Sequence, residues 1–242
     1  IGVMDSGVGG LTTVKELQKL LPKENIIYFG DNKNVPYGNK TQEEIIALTR
    51  RMIEFLISED VKVIAVACNT ISTIIDMISK DYDVKIIKII DPVVDNIKNT
   101  LKKDKVGLIA TNFTVNSGYY DKMLGDIKVF GRGSSELAAI VDSGKIDKEQ
   151  VKKIIKGHID KIIEAGNVDT IIFQECYPNI NFINPAFQQA EAIKNYLREE
   201  GLLKEEGDKY FKIYTSGSQD QYHSIMNMLK LQMPQEIIQY RE

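Results

Sequence analysis

Short runs rich in Val and Ile recur along this chain, and most are followed by a turn and a helical pattern. They occupy residues 1–6, 25–31, 61–70, 84–91, 105–111, 168–176 and 211–217. They mostly lack polar/apolar alternation, which suits strands covered on both faces. Between them lie helical segments. One covers 11–21 and stops at Pro22, which cannot continue a helix. Another follows Thr41-Gln42-Glu43-Glu44, a capping-box spacing, and Asp147-Lys148-Glu149-Gln150 is a similar start. Residues 71–79, 186–200 and 219–231 complete the helical candidates. Strands alternating with helices imply right-handed βαβ units and a mainly parallel sheet, an α/β fold.

At 242 residues the chain accommodates one large domain or two of average size. No low-complexity linker divides it. Weak breaks fall near residues 90–92 and 181–185. Val63-Ile64-Ala65 leading to Asn69-Thr70 loosely echoes Gly107-Leu108-Ile109-Ala110-Thr111, a hint of two similar halves.

The net charge of −3 and the lack of a basic run give no reason to expect nucleic acid. No apolar stretch approaches the ~20 residues that span a bilayer, so no membrane role is expected. The opening run reads as a core strand rather than a signal peptide. Two cysteines do not make a disulfide scaffold, which predicts reduced thiols and a cytoplasmic setting.

Chemistry-bearing residues gather at strand ends, where parallel α/β sheets bind ligands. Asp5-Ser6-Gly7-Val8-Gly9-Gly10 follows the first run. It is either a tight strand-to-helix turn or a cradle of N–H groups for an anion. It is neither a Walker loop nor the dinucleotide fingerprint, since Thr12 takes the third glycine position. Asp31 ends the second run, a few residues before Pro36-Tyr37-Gly38. Cys68-Asn69-Thr70 is the richest cluster. A thiol there, before a helical run, is expected to have a lowered pKa, and the amide and hydroxyl suit a carboxylate. Thr111, Thr114 and Ser117 read as helix-capping hydroxyls or ligands. Cys176-Tyr177-Pro178 ends a later run. His158 and His223 fall in helical segments away from these clusters, and no Cys/His/Asp set has zinc spacing.

Taken in order, these motifs resemble glutamate racemase, of the aspartate/glutamate racemase superfamily. The resemblance rests on Asp5 to Leu11, on Asp31 with Pro36-Tyr37-Gly38, and on Ala67-Cys68-Asn69-Thr70 with Ser72. It continues through Thr111, Thr114-Val115 and Ser117, then Ile183-Asn184-Pro185-Ala186, and Tyr214-Thr215-Ser216-Gly217. It implies two pseudo-symmetric α/β domains, each a mainly parallel sheet flanked by helices, with the active site in the cleft between them. Residues 1–90 plus 208–242 would form the first and 91–207 the second. It implies interconversion of L- and D-glutamate without pyridoxal phosphate or metal, supplying D-glutamate for peptidoglycan, by a cytoplasmic homodimer. Cys68 and Cys176 would be the two bases. Asp5, Ser6, Pro36, Tyr37, Gly38, Asn69, Thr70, Thr111 and Thr114 would bind the substrate. Asp142 resembles an acidic position of the second domain.

The chain departs from the family in one place. The family's second motif reads Gly-Cys-Thr-His-Tyr-Pro, and here the stretch is Phe173-Gln174-Glu175-Cys176-Tyr177-Pro178. Aligned without gaps, Gln174 takes the place of the cysteine. With a two-residue gap Cys176 takes it, and the Thr-His pair is missing. The segment from Pro178 to Asn184 is also shorter than in the family. Two further readings therefore stand beside the racemase: a one-cysteine decarboxylase or isomerase of another carboxylic acid, and a non-catalytic amino-acid-binding relative.

Overall fold

A computed structural model of the chain describes residues 1–101, 104–143, 147–173 and 181–240. In chain order the elements are β1 (Gly2–Asp5), α1 (Leu11–Leu20), β2 (Ile26–Gly30), α2 (Gln42–Ser58), β3 (Val63–Val66), α3 (Asn69–Ser72), β4 (Lys85–Lys88) and α4 (Ile90–Thr100). They continue with β5 (Lys105–Ala110), α5 (Asn112–Asn116), α6 (Tyr119–Leu124), β6 (Lys128–Gly133), α7 (Ser135–Ser143), α8 (Lys148–Gly166) and β7 (Thr170–Ile172). The last are β8 (Asn181–Ile183), α9 (Pro185–Glu199), β9 (Phe211–Thr215), α10 (Asp220–Leu229) and β10 (Glu236–Gln239).

The strands form two sheets, ordered β10-β9-β2-β1-β3-β4 and β6-β5-β7-β8. Every strand pairing among the described residues is parallel. The stretch β2-β1-β3-β4 repeats the order of the whole second sheet. In each, the second strand lies on one side of the first and the third strand on the other. That reversal opens a crevice at the carboxyl ends of the first and third strands, the usual ligand position of open α/β sheets. β1 and β3 flank one crevice, β5 and β7 the other.

The central strands β1, β2 and β3 of the first sheet are buried on both faces, as their Val/Ile runs predict. Val3, Tyr28, Val63, Ala65 and Ile213 face a core shared with α1, α9 and α10. Met4, Ile27, Phe29, Ile64 and Val66 face the opposite core, beneath α2. Burying each large apolar side chain contributes roughly 1.5–3 kcal/mol. The fully buried Gln189 of α9 ties the layers together. It accepts from the Thr13 hydroxyl at 3.0 Å and donates to the carbonyls of Val66 at 2.9 Å and Ile87 at 2.8 Å. α9 thereby holds the ends of β3 and β4.

Helix starts follow their capping residues. Thr41 Oγ1 accepts from the Glu44 N–H, and Glu44 answers by accepting from the Thr41 N–H at 2.7 Å. Asp147 caps α8 and Asn184 caps α9, with Pro185 at the first helical position.

Several expectations need correction. Residues 71–79 do not form one helix: α3 ends at Ser72, and short 3-10 turns follow at Ile75–Met77 and Ser79–Asp81. The run 84–91 divides, because β4 stops at Lys88 and α4 starts at Ile90, with Pro92 in its first turn, where the missing N–H costs nothing. β6, β8 and β10 carry no strong apolar run. β6 and β10 are partly exposed edge strands, so burial does not mark them in sequence. β6 also has two glycines, and a Cβ on Gly131 would lie 2.8 Å from Val115 Cγ1 of the helix packed against it.

Candidate active site

The register of the first sheet brings distant motifs together. Met4 pairs with both Phe29 and Val66, so Asp5 and Cys68 leave neighbouring strands at one edge. Asp5 is buried, and its Oδ2 accepts from the N–H groups of Gly7 (3.2 Å) and Gly10 (3.0 Å) and from the Tyr28 hydroxyl (3.4 Å). The glycine-rich turn therefore spends these N–H groups on Asp5 rather than holding them for an anion. Gly10 has no room for a side chain, since a Cβ would lie 2.8 Å from Asp5 Cβ and 2.9 Å from Ala67 Cβ. Burial raises the Asp5 carboxyl pKa, opposed by the N–H groups of Gly10, Gly7 and Ser6.

Cys68 is buried with its Sγ 3.4 Å from Ser6 Oγ. Burial pushes the thiol up to about 12, the Asp5 charge adds to this, and the Ser6 hydroxyl opposes it. The lowered pKa expected from a following helix is not found: α3 has only 4 residues, and desolvation of the thiolate outweighs its dipole. The thiol is thus neutral near pH 7. Because the thiolate is the nucleophile and its fraction grows tenfold per pH unit below the pKa, alkylation of Cys68 by iodoacetamide is expected to rise about tenfold per unit from pH 7 to 10. Peptide mass spectrometry reads the rate, and a plateau below pH 9 would show a far more acidic thiol.

The two residues after Cys68 reach the second half of the molecule. Thr70 Oγ1 lies 3.2 Å from Thr111 Oγ1, which lies 3.0 Å from Thr114 Oγ1. Thr111 also caps α5 by accepting from the Thr114 N–H, so its position is fixed by the helix it starts. Asn69 Oδ1 accepts from the Tyr120 hydroxyl at 3.0 Å.

Tyr37 is buried and donates to Asp31 Oδ2 at 2.6 Å. Burial and the adjoining Asp31 charge hold its phenol far above the usual range. Asp31 is fully buried. It pairs with Arg51 at 2.9 Å and accepts from the Ser216 hydroxyl and the Asn34 amide. This cluster fastens the turn at 32–39 to the end of β9. Gly38 abuts the second half, where a Cβ would sit 3.6 Å from Phe113 Cβ and 3.9 Å from Thr111 Cβ.

Between the halves lies a cleft of about 690 Å³, within the size range of small-molecule sites. Asp5, Ser6, Cys68, Asn69, Thr70 and Thr111 line it. Pro36, Tyr37, Gly38 and Thr114 are not part of that lining. The second half contributes mainly apolar surface, including Ile109, Leu137, Ile155 and Phe173. Sequence reasoning missed Tyr120 and Ser134, both buried and both lining the cleft. Tyr120 carries a faint signal, three residues past Ser117 at a helix start. Ser134 carries none. Cys176 and the whole stretch 174–180 lie outside the described residues, as does the side chain of Asp142. Among the described residues no group of three or more His, Cys, Asp or Glu side chains is placed to hold a metal, and no helix is long and apolar enough to cross a membrane.

The family model for Asp/Glu/hydantoin racemase matches residues 1–173. The chain belongs to this family. Its racemase relatives include a glutamate racemase of Carboxydothermus hydrogenoformans, 33% identical over 235 residues, which covers 90% of this chain and 87% of the relative. Glutamate racemase 1 of Caldanaerobacter subterraneus subsp. tengcongensis is 30% identical over 239 residues, covering 92% and 89%. Among solved structures, the glutamate racemase of Francisella tularensis in complex with D-glutamate superposes with a TM-score of 0.86 at 29% identity, covering 100% of this chain and 96% of that one. A glutamate racemase isoform from Bacillus anthracis gives 0.86 at 27%, covering 99% and 96%. The family-model match spans the Asp5, Cys68 and Thr111 motifs and ends at residue 173, before Cys176.

Proposed function

We propose that this cleft interconverts L- and D-glutamate by α-proton transfer, with Cys68 as the base on the side of the first sheet. The protein is an amino-acid racemase, an isomerase, as its family and its relatives indicate. The observation that carries the assignment is the placement of Cys68. The thiol stands at the β1/β3 crevice beside Ser6 and near Asp5, with Asn69 and Thr70 directly after it.

Racemisation removes the α-proton from one face and returns a proton on the other. Two bases on opposite sides of a cleft do this without moving the substrate, and the route needs neither pyridoxal phosphate nor a metal. The Cys68 thiolate takes the α-proton, the electron pair remains on the substrate carbon and carboxylate, and an acid opposite delivers a proton. A thiol raised by burial is rarely ionised, yet its thiolate is a strong base. The substrate ammonium supplies the positive charge that favours ionisation once the cleft is filled. Asp5 and Ser6 would hold that ammonium, and Asn69, Thr70 and Thr111 the carboxylates. Tyr37 would act by fixing the 36–38 turn, with Pro36 and Gly38, and Thr114 by fixing Thr111. Cys176 would be the opposing acid and base, because it follows β7 in sequence and β7 flanks the second crevice.

The same reading takes residues 1–90 plus 208–242 as the first domain and 91–207 as the second; the division of strands between the sheets supports it, while α9 of the second packs into the core of the first sheet. It also has the enzyme supply D-glutamate for peptidoglycan, as a homodimer in the cytoplasm. The test is exchange in D₂O with L- and D-glutamate supplied separately, followed by proton NMR and optical rotation. A racemase exchanges and inverts both. Exchange without inversion would mean a single working base, and silence with both enantiomers would remove glutamate as substrate.

A further inference from the structure

Two consecutive tyrosines at the start of α6 cross from the second half to the first. Gly118 precedes them at φ +62°, a backbone state that favours glycine. The Tyr119 hydroxyl reaches Asp76 and Lys88, each at 2.7 Å. The Tyr120 hydroxyl reaches Asn69, the residue after Cys68. Tyr120 is 1% exposed and is among the residues lining the cleft.

We propose that Tyr120 is a positioning residue for the substrate carboxylate, acting through Asn69. An asparagine amide has one acceptor oxygen and one NH₂ donor group, and a rotation exchanges them. A buried phenol needs an acceptor, because an unmade hydrogen bond there is costly. Asn69 Oδ1 meets that need. The amide orientation is thereby fixed, and Nδ2 is left as the donor group of Asn69, a residue that lines the cleft. Two N–H bonds suit a carboxylate, whereas a flipped amide would present an oxygen and repel it. Burial holds the phenol well above its usual pKa, so it stays protonated and a donor. The Tyr119 contacts keep the start of α6 in place, so the reach of Tyr120 does not depend on its own bond alone.

This inference rests on the reading that Asn69 binds a substrate carboxylate, and the test separates the two. Tyr120→Phe, Asn69→Ala and the double variant are compared by KM and kcat with each glutamate enantiomer. A second readout needs no turnover: the rate at which iodoacetate alkylates Cys68, divided by the rate with iodoacetamide, read on the Cys68 peptide at pH 8. The ratio reports a carboxylate-binding group beside the thiol. Tyr120→Phe is expected to raise KM about tenfold for both enantiomers, change kcat less than about threefold, and lower the ratio by a similar factor. The double variant is expected to be no worse than Asn69→Ala, since interacting residues are not additive. Effects that multiply in the double variant, or a Tyr120→Phe protein with unchanged KM and ratio, would overturn the proposal. Asn69→Ala with an unchanged ratio would overturn the carboxylate role of Asn69 and this proposal with it. A wild-type protein that turns over neither enantiomer would remove only the glutamate reading, and the ratio would still decide on Tyr120. If Tyr120→Phe melts early, Asn69→Asp replaces it. Asp accepts from Tyr120 without offering N–H, so a retained iodoacetate preference in that variant would sink the idea.

Discussion

Cys68→Ser is expected to lower kcat for racemisation by about 10³-fold or more in both directions while the protein stays folded. A positioned acid or base contributes typically 10²–10⁴-fold, and a serine hydroxyl is far too weakly acidic to supply an oxyanion base in a buried site. Both directions suffer because each enantiomer needs one group to take a proton and the other to return one. The fold is expected to persist because the exchange is nearly isosteric, and Ser6 Oγ remains within reach of the new hydroxyl. Deuterium exchange makes the result diagnostic. The enantiomer whose α-proton faces Cys68 loses exchange, while the other keeps it wherever the opposing base still works. A Cys68→Ser protein retaining a tenth of wild-type activity would remove Cys68 from the proton transfer.

The largest effect on stability is expected at Asp31. Its carboxylate is fully buried and receives Tyr37, Ser216 and Asn34 as well as the Arg51 guanidinium. Breaking a buried pair by deleting one partner costs about 3–5 kcal/mol. Asp31→Ala is therefore expected to lower the melting temperature by roughly 10 °C, at the ~2–4 °C per kcal/mol of a chain this size. Asp31→Asn, which keeps an acceptor for Tyr37, is expected to lose less. KM should rise in both variants, because the 36–38 turn packs against Thr111 and Phe113. A thermal scan checks the order. An Asp31→Ala protein melting within 2 °C of wild type would show that the cluster contributes little.

The site was partly legible in sequence because parallel sheets place chemistry at strand ends. Asp5, Cys68 and Thr111 each follow a Val/Ile-rich run, and each lines the cleft. Tyr37 was legible as a motif but not as a buried donor to Asp31, since that bond depends on how the 32–39 turn folds back. Tyr120 is not legible in sequence, because a tyrosine at a helix start looks like any other aromatic. For the thiol pKa, the sequence predicts a lowering and the structure shows a rise. A helix N-terminus is visible in sequence, whereas the burial that outweighs it belongs to the assembled core.

By itself the sequence determined the alternation of strand and helix, the parallel sheets and the strand-end motifs, because apolar runs, caps and turn residues act over a few neighbours. Only the tertiary structure decided the strand order that places Asp5 beside Cys68. It alone decided the division into two equivalent crevices, and the hydroxyl and amide contacts by which Asn69 and Thr70 meet Tyr120 and Thr111. These depend on register between strands far apart in the chain and on the burial that register creates, and local patterns encode neither.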